Sequence, residues 1–282
     1  MAGRFLERLP PIPWRRGEPV VSVLRFDGVI GLRGRRGVSL RRYAGALERA
    51  FKLRGVKAVA LAINSPGGSP AQSALLYRRV RQLAAETGVP VLAFAEDVAA
   101  SGGYWLALAA DEIYAEETSL LGSIGVVTAG FGFVSALDRL GVERRLYTAG
   151  EDKSLLDPFL PEAPRDVARL KTLQRDLHDS FKELVRQRRG AKLKGEEAQL
   201  FGGEVFTGRR ALSLGLIDGI GDARGIARQL FGDRVRLRPI EPERRRSLLA
   251  RLAWRRRPDF GDIAADLLAR LEERLMWARF GL

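Results

Sequence analysis

An α/β domain built on a largely parallel sheet is predicted by three observations: apolar runs of strand length, helical patterns placed between them, and no internal repeat. Strands buried on both faces of a parallel sheet read as continuous apolar runs, and they need crossover helices to connect them. With 282 residues and 46% hydrophobic content, the chain can bury one sizeable core and carry an appendage.

The elements follow in order. Residues 1–17 form a Pro/Arg-rich arm with no apolar stretch of signal-peptide length. Lys57–Ile63 is a buried-type strand, and Asn64-Ser65-Pro66-Gly67-Gly68-Ser69-Pro70 follows as a glycine-rich junction before a helix from Ala71 to about Glu86. A second strand, Val89–Ala95, is entered through Pro90 and is followed by Glu96-Asp97 as a turn signal. From Ser101 to Ala110 the pattern becomes a short Ala/Leu-rich helix. Arg145–Thr148 is strand-like, with an Ala149-Gly150 turn leading to Lys153. Arg165–Arg189 is a charged helix with one apolar stripe of Leu170, Leu173, Leu177, Phe181, Leu184 and Val185. Phe206-Thr207-Gly208 and Leu214–Asp222 close a unit spanning 18–235. Residues 236–243, with Pro239 and Pro242, read as a linker, and 244–282 as a basic helical tail broken near Pro258.

Ser101 sits where a strand hands over to a helix N-terminus, an end that carries unpaired N–H groups and partial positive charge. A developing oxyanion is stabilised at such a point, and Gly102 and Gly103 let a substrate backbone come close. A plain N-cap is the competing reading of the same serine. The second glycine-rich junction shifts the balance, because two such junctions can face one pocket and Gly68 can point its N–H at a substrate carbonyl. A serine hydroxyl needs a base. The one histidine, His178, lies beside the apolar stripe of a charged helix and reads as a surface residue. Lysine can serve instead when burial keeps the amine neutral. Lys153 is a candidate, although a solvated loop lysine fits the same local pattern.

Five segments, NSPGG at Asn64–Gly68, DVAASGGY at Asp97–Tyr104, AADEIYA at Ala109–Ala115, LGSIG at Leu121–Gly125 and TAGEDK at Thr148–Lys153, resemble in order the motif set of the signal peptide peptidase A family of serine peptidases. The resemblance is to the short, SohB-like form, and it implies a ClpP/crotonase-like fold, to which the composition adds a basic helical C-terminal extension. It implies that Ser101 is the nucleophile, Lys153 the general base, Ser123 the serine that orients the lysine, and Gly68 with Gly102 the oxyanion hole. The third orienting group is what triad logic requires. Hydrophobic peptides, including signal-peptide remnants and membrane-protein fragments, are the implied substrates, and a homo-oligomer the implied assembly, with Ser and Lys sometimes contributed by neighbouring subunits. No cofactor is implied. A crotonase-type acyl-CoA enzyme and an inactive assembly or scaffold protein of the same fold are the rival readings.

Zero cysteines rule out disulfides and thiol catalysis, and one histidine without clustered carboxylates argues against a metal site. The net charge of +14 invites either a nucleic-acid partner or an anionic surface. No segment resembles a nucleic-acid-reading module, so no nucleic acid is expected. Arginine clusters beside Trp14, Trp254 and Trp277 suit a peripheral contact with an anionic membrane, while a solvated arginine-rich face is the plainer account. Many relatives carry an N-terminal membrane anchor, whereas no segment here approaches the roughly 18 apolar residues of a spanning helix. A cytoplasmic or peripherally attached enzyme is expected.

Overall fold

Strand pairing is parallel nearly throughout, as the continuous apolar runs require. The structure is a computed structural model that describes residues 18–31, 37–150, 153–242, 271 and 273–281. In chain order its elements are β1 (Val20–Asp27), α1 (Leu40–Phe51), β2 (Val56–Ser65), α2 (Pro70–Thr87), β3 (Val91–Ala100), α3 (Gly102–Ala107), β4 (Glu112–Ala115), β5 (Leu120–Gly122), α4 (Val134–Leu140), α5 (Pro164–Arg189), α6 (Glu197–Phe201), β6 (Val205–Thr207), α7 (Gly208–Ser213), β7 (Gly219–Ile220), α8 (Ala223–Phe231) and β8 (Arg236–Pro239). The sheet runs β6-β5-β3-β2-β1-β8, with β4 branching from β3 and β7 pairing with β4. Only β5 and β6 pair antiparallel.

The large core lies on one face of the sheet, where Leu24, Phe26, Leu61 and Ile63 meet Leu47 of α1, Leu76 and Leu83 of α2 and Leu106 of α3. On the other face, Val21, Ala58, Ala60, Leu92 and Phe94 pack against Ile226 and Ala227 of α8. Side chains on a strand alternate between faces, so the small alanines of β2 point to α8 and the bulky residues to the main core.

Three expectations change. Glu96-Asp97 is not a turn: β3 runs through it to Ala100, pairing with β4 over Leu92–Ala95 and with β5 over Val98–Ala100. Asn64 holds the switch, because its side-chain oxygen accepts from the Val98 N–H at 3.2 Å and its amide donates to Asp97 at 3.1 Å. Arg145–Thr148 is not a strand; it is exposed, and no neighbouring strand supplies the backbone partners a ladder needs. Arg236–Pro239 begins no linker, being instead β8, paired parallel to β1. The expected arm at 1–17 lies outside the described residues, as does most of the basic tail, of which 273–278 is helical.

Candidate active site

The turn between β3 and α3 carries Ser101 at φ 51°, a region that non-glycine residues seldom occupy. The conformation is held from both sides. The Ser101 N–H donates to Gly122 O at 2.8 Å, and the Ser101 carbonyl accepts from the Trp105 N–H at 2.9 Å. Its hydroxyl makes no capping hydrogen bond to the helix it precedes, which removes the N-cap reading. Cap serines spend their oxygen on an early helical N–H, as Ser69 does for Gln72 at the start of α2.

The NSPGG loop lies directly against this turn. A Cβ on Gly67 would fall 2.7 Å from Ser101 Cβ and 2.8 Å from the Gly102 nitrogen, and Gly67 itself adopts φ 103°. Only glycine fits a backbone that close and that twisted. A Cβ on Gly102 would lie 3.3 Å from the Gly68 nitrogen, so the two candidate oxyanion N–H groups are neighbours. As the first residue of α3, Gly102 has no intrahelical acceptor for its N–H. The loop is anchored from behind, since Ile30 N–H donates to Gly67 O at 2.8 Å and Ile30 O accepts from Ser69 N–H at 2.8 Å. The two glycine-rich junctions therefore lie side by side.

Ser123 follows β5 at φ 50°, half-buried, with its N–H donating to Glu204 O at 2.7 Å. The residue before it, Gly122, supplies the carbonyl that holds Ser101, so the two serines share one backbone frame. His178 reaches this frame too. Its Nε2 lies 3.1 Å from Ile124 O, and a carbonyl can only accept, so that nitrogen carries the proton. The surface role expected of His178 is thereby corrected: the ring is part-buried and braces the segment that carries Ser123. Sequence reading also missed Asn64; its signal was a polar residue closing an apolar strand.

A buried ion cluster supports α3 from beneath. Arg189, 4% exposed, donates to Asp218 at 2.7 and 3.1 Å and to Gly215 O at 2.9 Å; Lys192 and the Ile113 N–H also donate to Asp218. Burial pushes the Asp218 carboxyl up, but the hydrogen bonds from Arg189, Lys192 and Ile113 outweigh it and hold the group below its ordinary value. Tyr104, fully buried in α3, donates to Leu216 O at 2.6 Å, and desolvation raises its hydroxyl pKa. These contacts account for the Leu214–Asp222 stretch.

Lys153 is not brought to Ser101 within the single chain. It is exposed, and its N–H makes a 3.4 Å contact with Gly150 O. It belongs to a limb, residues 127–150 and 153–163, that is largely exposed. Phe131 is 82% exposed, Leu140 74% and Tyr147 89%. The limb is tied mainly to itself, by Phe133 stacked on Phe159 at 5.4 Å and by Arg144 over the same ring and paired with Asp157.

The profile of Peptidase family S49 matches residues 84–232, just over half of the chain. A protein of Brucella abortus named Na(+)/H(+) antiporter NhaA is 48% identical over 99% of this chain and 39% of its own length. The chloroplastic serine protease SPPA of Arabidopsis thaliana is 34% identical over 74% of this chain and 35% of its own. The chain thus spans well under half the length of either relative. Among the described residues no helix is long and apolar enough to cross a membrane. Of solved structures, the membrane-bound stomatin-specific protease 1510-N with a substrate peptide gives a TM-score of 0.50 at 15% identity, over 83% of this chain and 98% of its own. At that identity the likeness concerns the fold, and it agrees with a ClpP-like architecture.

Proposed function

Because the chain belongs to the S49 family of serine peptidases related to signal peptide peptidase A, we propose that it is an endopeptidase whose nucleophile is Ser101 and whose general base is Lys153. The observation that carries this reading is the Ser101 turn: a serine at positive φ, with its hydroxyl free of any capping bond and a glycine loop pressed against it. Strain of this kind is retained where it aims a side chain. Neither the acyl-CoA reading nor the scaffold reading gives it a use.

In this mechanism the neutral Lys153 amine takes the Ser101 proton as the oxygen attacks the scissile carbonyl. Charge on the tetrahedral oxygen falls on the N–H groups of Gly68 and Gly102. The lysine then returns its proton to the departing amine, leaving an acyl-serine, and water, activated by the same amine, releases the acid and restores the hydroxyl. Ser123 orients the amine. Hydrophobic peptides are the substrate class, in keeping with the family and with the apolar surface of the limb.

The exposed setting of Lys153 leads to a second part of the proposal. The site is completed in a homo-oligomer, where the limb packs on a neighbouring copy and the lysine enters a dry cavity beside a Ser101. A fluorophosphonate probe tests the whole scheme: it labels Ser101 in the wild-type protein and fails in Lys153→Ala. Labelling elsewhere, or undiminished labelling of Lys153→Ala, refutes the dyad. Mixing Ser101→Ala with Lys153→Ala protein restores activity if the site is shared between copies, and leaves it absent if each chain supplies both groups.

A further inference from the structure

At the opposite end of the sheet from Ser101, the starts of β1, β2 and β8 open onto a cavity of about 1380 Å³. Strands of this length place it roughly 30 Å from the serine. Its walls carry Arg54, Lys57, Arg224, Arg228, Arg236 and Arg238. The carboxylate among the lining residues, Glu18, is paired with Arg236. Among the described residues, the other five side chains have no ion-pair or hydrogen-bond partner.

Several cations elsewhere on the surface sit beside a carboxylate. Arg25 pairs with Glu96, Arg79 with Glu48, Arg81 with Asp111 and Arg209 with Glu117. Around the cavity, like charges from the α1–β2 turn, β2, α8 and β8 line one concave space, where among the described lining residues the single carboxylate of Glu18 does not offset their mutual repulsion. An anion would. Guanidinium groups present paired donors that match phosphate oxygens two at a time, and low-dielectric walls concentrate the field of such a cleft. The cations come from four separate segments around a space of about 1380 Å³, far larger than one phosphate, so the complementary ligand carries several. We propose that this cavity binds a multiply phosphorylated anion, at a site independent of the peptidase centre.

The experiment uses the full chain with Ser101→Ala, so its outcome does not depend on catalysis. Inorganic tripolyphosphate, titrated calorimetrically at low salt, represents the soluble source. Vesicles of phosphatidylglycerol, compared with phosphatidylcholine by sedimentation, represent clustered lipid headgroups. Binding of either probe is expected to weaken roughly tenfold or more in Arg224→Glu/Arg228→Glu. The exposed pair Arg41→Glu/Arg78→Glu, on α1 and α2 away from the cavity, removes the same charge and is expected to bind as before. Arg54→Ala/Lys57→Ala serves as an independent test should the first variant lose its circular dichroism spectrum. Tripolyphosphate binding alone identifies a soluble ligand; vesicle binding lost in the cavity variants identifies headgroups. The proposal is overturned if neither probe binds, if both reversed pairs weaken binding equally, or if an oligoglutamate peptide binds as tightly as tripolyphosphate.

Discussion

Around Ser101 the backbone is held by β5, by α3 and by the loop carrying Gly67, whereas around Lys153 the chain touches almost nothing of the core. The first region is complete in one chain. Its geometry depends on backbone atoms placed to within about half an ångström, and such placement is stable only where packing on every side enforces it. The second region needs desolvation more than precision, because an amine acts as a base only when its charge is disfavoured. Burial of that kind can come from a surface outside the chain. In the proposed mechanism nucleophile and base thus place different demands on the fold, and the packing around Ser101 meets the first of them.

The sharpest break of this comparison is Ser101→Ala. Removing the hydroxyl is expected to lower peptidase activity by about 10⁴-fold or more with an unchanged melting temperature, since no capping bond is lost. Residual activity within tenfold of wild type would move the nucleophile elsewhere. Next comes the limb. Leu140→Glu with Tyr147→Glu places charge on its apolar surface, 74% and 89% exposed, and is expected to reduce both assembly size in light scattering and activity, the latter by about 100-fold. The circular dichroism spectrum should not change. Full activity in a monomeric variant would show that one chain closes the site by itself.

A matched pair of glycines sharpens the contrast further. Gly67 and Gly150 have φ of 103° and 102°, so an added Cβ is equally strained at both, costing about 1 kcal/mol. Their surroundings differ. At Gly67 the new atom meets the Gly102 nitrogen at 2.8 Å and the Ala100 oxygen at 2.9 Å, while at Gly150 it meets only the flexible Lys153 side chain at 3.5 Å. Gly67→Ala is expected to lower kcat at least about tenfold, and Gly150→Ala less than about threefold. Equal effects would mean that the loop by Ser101 is no more constrained than the limb.

How far the sequence was legible follows the same division. The strands β2 and β3 and the helices α2 and α5 were readable because burial writes itself as apolar periodicity. β8 was not: Arg236-Leu237-Arg238-Pro239 is an edge strand, where a proline and exposed charge are tolerated and the apolar signal is thin. Arg145–Thr148 failed in the opposite sense, with strand-like residues that have no strand beside them. Ser101 and the Gly67-Gly68 loop were readable from glycines at strand ends, while nothing local to Lys153 separates a catalytic amine from a solvated one. Asn64 and His178 act through contacts 34 and 54 residues away in the chain, which no window on the sequence contains.

Beneath the serine, Asp218 offers a stability test. Asp218→Asn leaves Arg189 buried without its charge partner and is expected to cost about 3 kcal/mol in urea unfolding. The carboxyl is held below its ordinary value in the fold, so its contribution is present above about pH 4 and is lost as pH falls through the depressed folded value. The wild type is therefore expected to lose stability on acidification over that range, and the variant to follow a flatter curve. Parallel curves would place the acid sensitivity elsewhere.

A small effect belongs to His178, and it distinguishes bracing from chemistry. The ring donates to Ile124 O, one residue beyond Ser123, and so fixes the backbone of the segment that carries the proposed orienting serine. Loss of this hydrogen bond in His178→Ala is expected to cost about 1 kcal/mol and to lower kcat a few-fold with KM unchanged, because the substrate itself is not touched. Glutamine presents an N–H₂ at similar reach and cannot titrate. If His178→Gln restores kcat and leaves the pH profile superimposable on that of the wild type, the ring acts as a positioning donor. A profile that loses one limb in the glutamine variant would instead make the imidazole a proton carrier, and Lys153 would no longer be needed as the base.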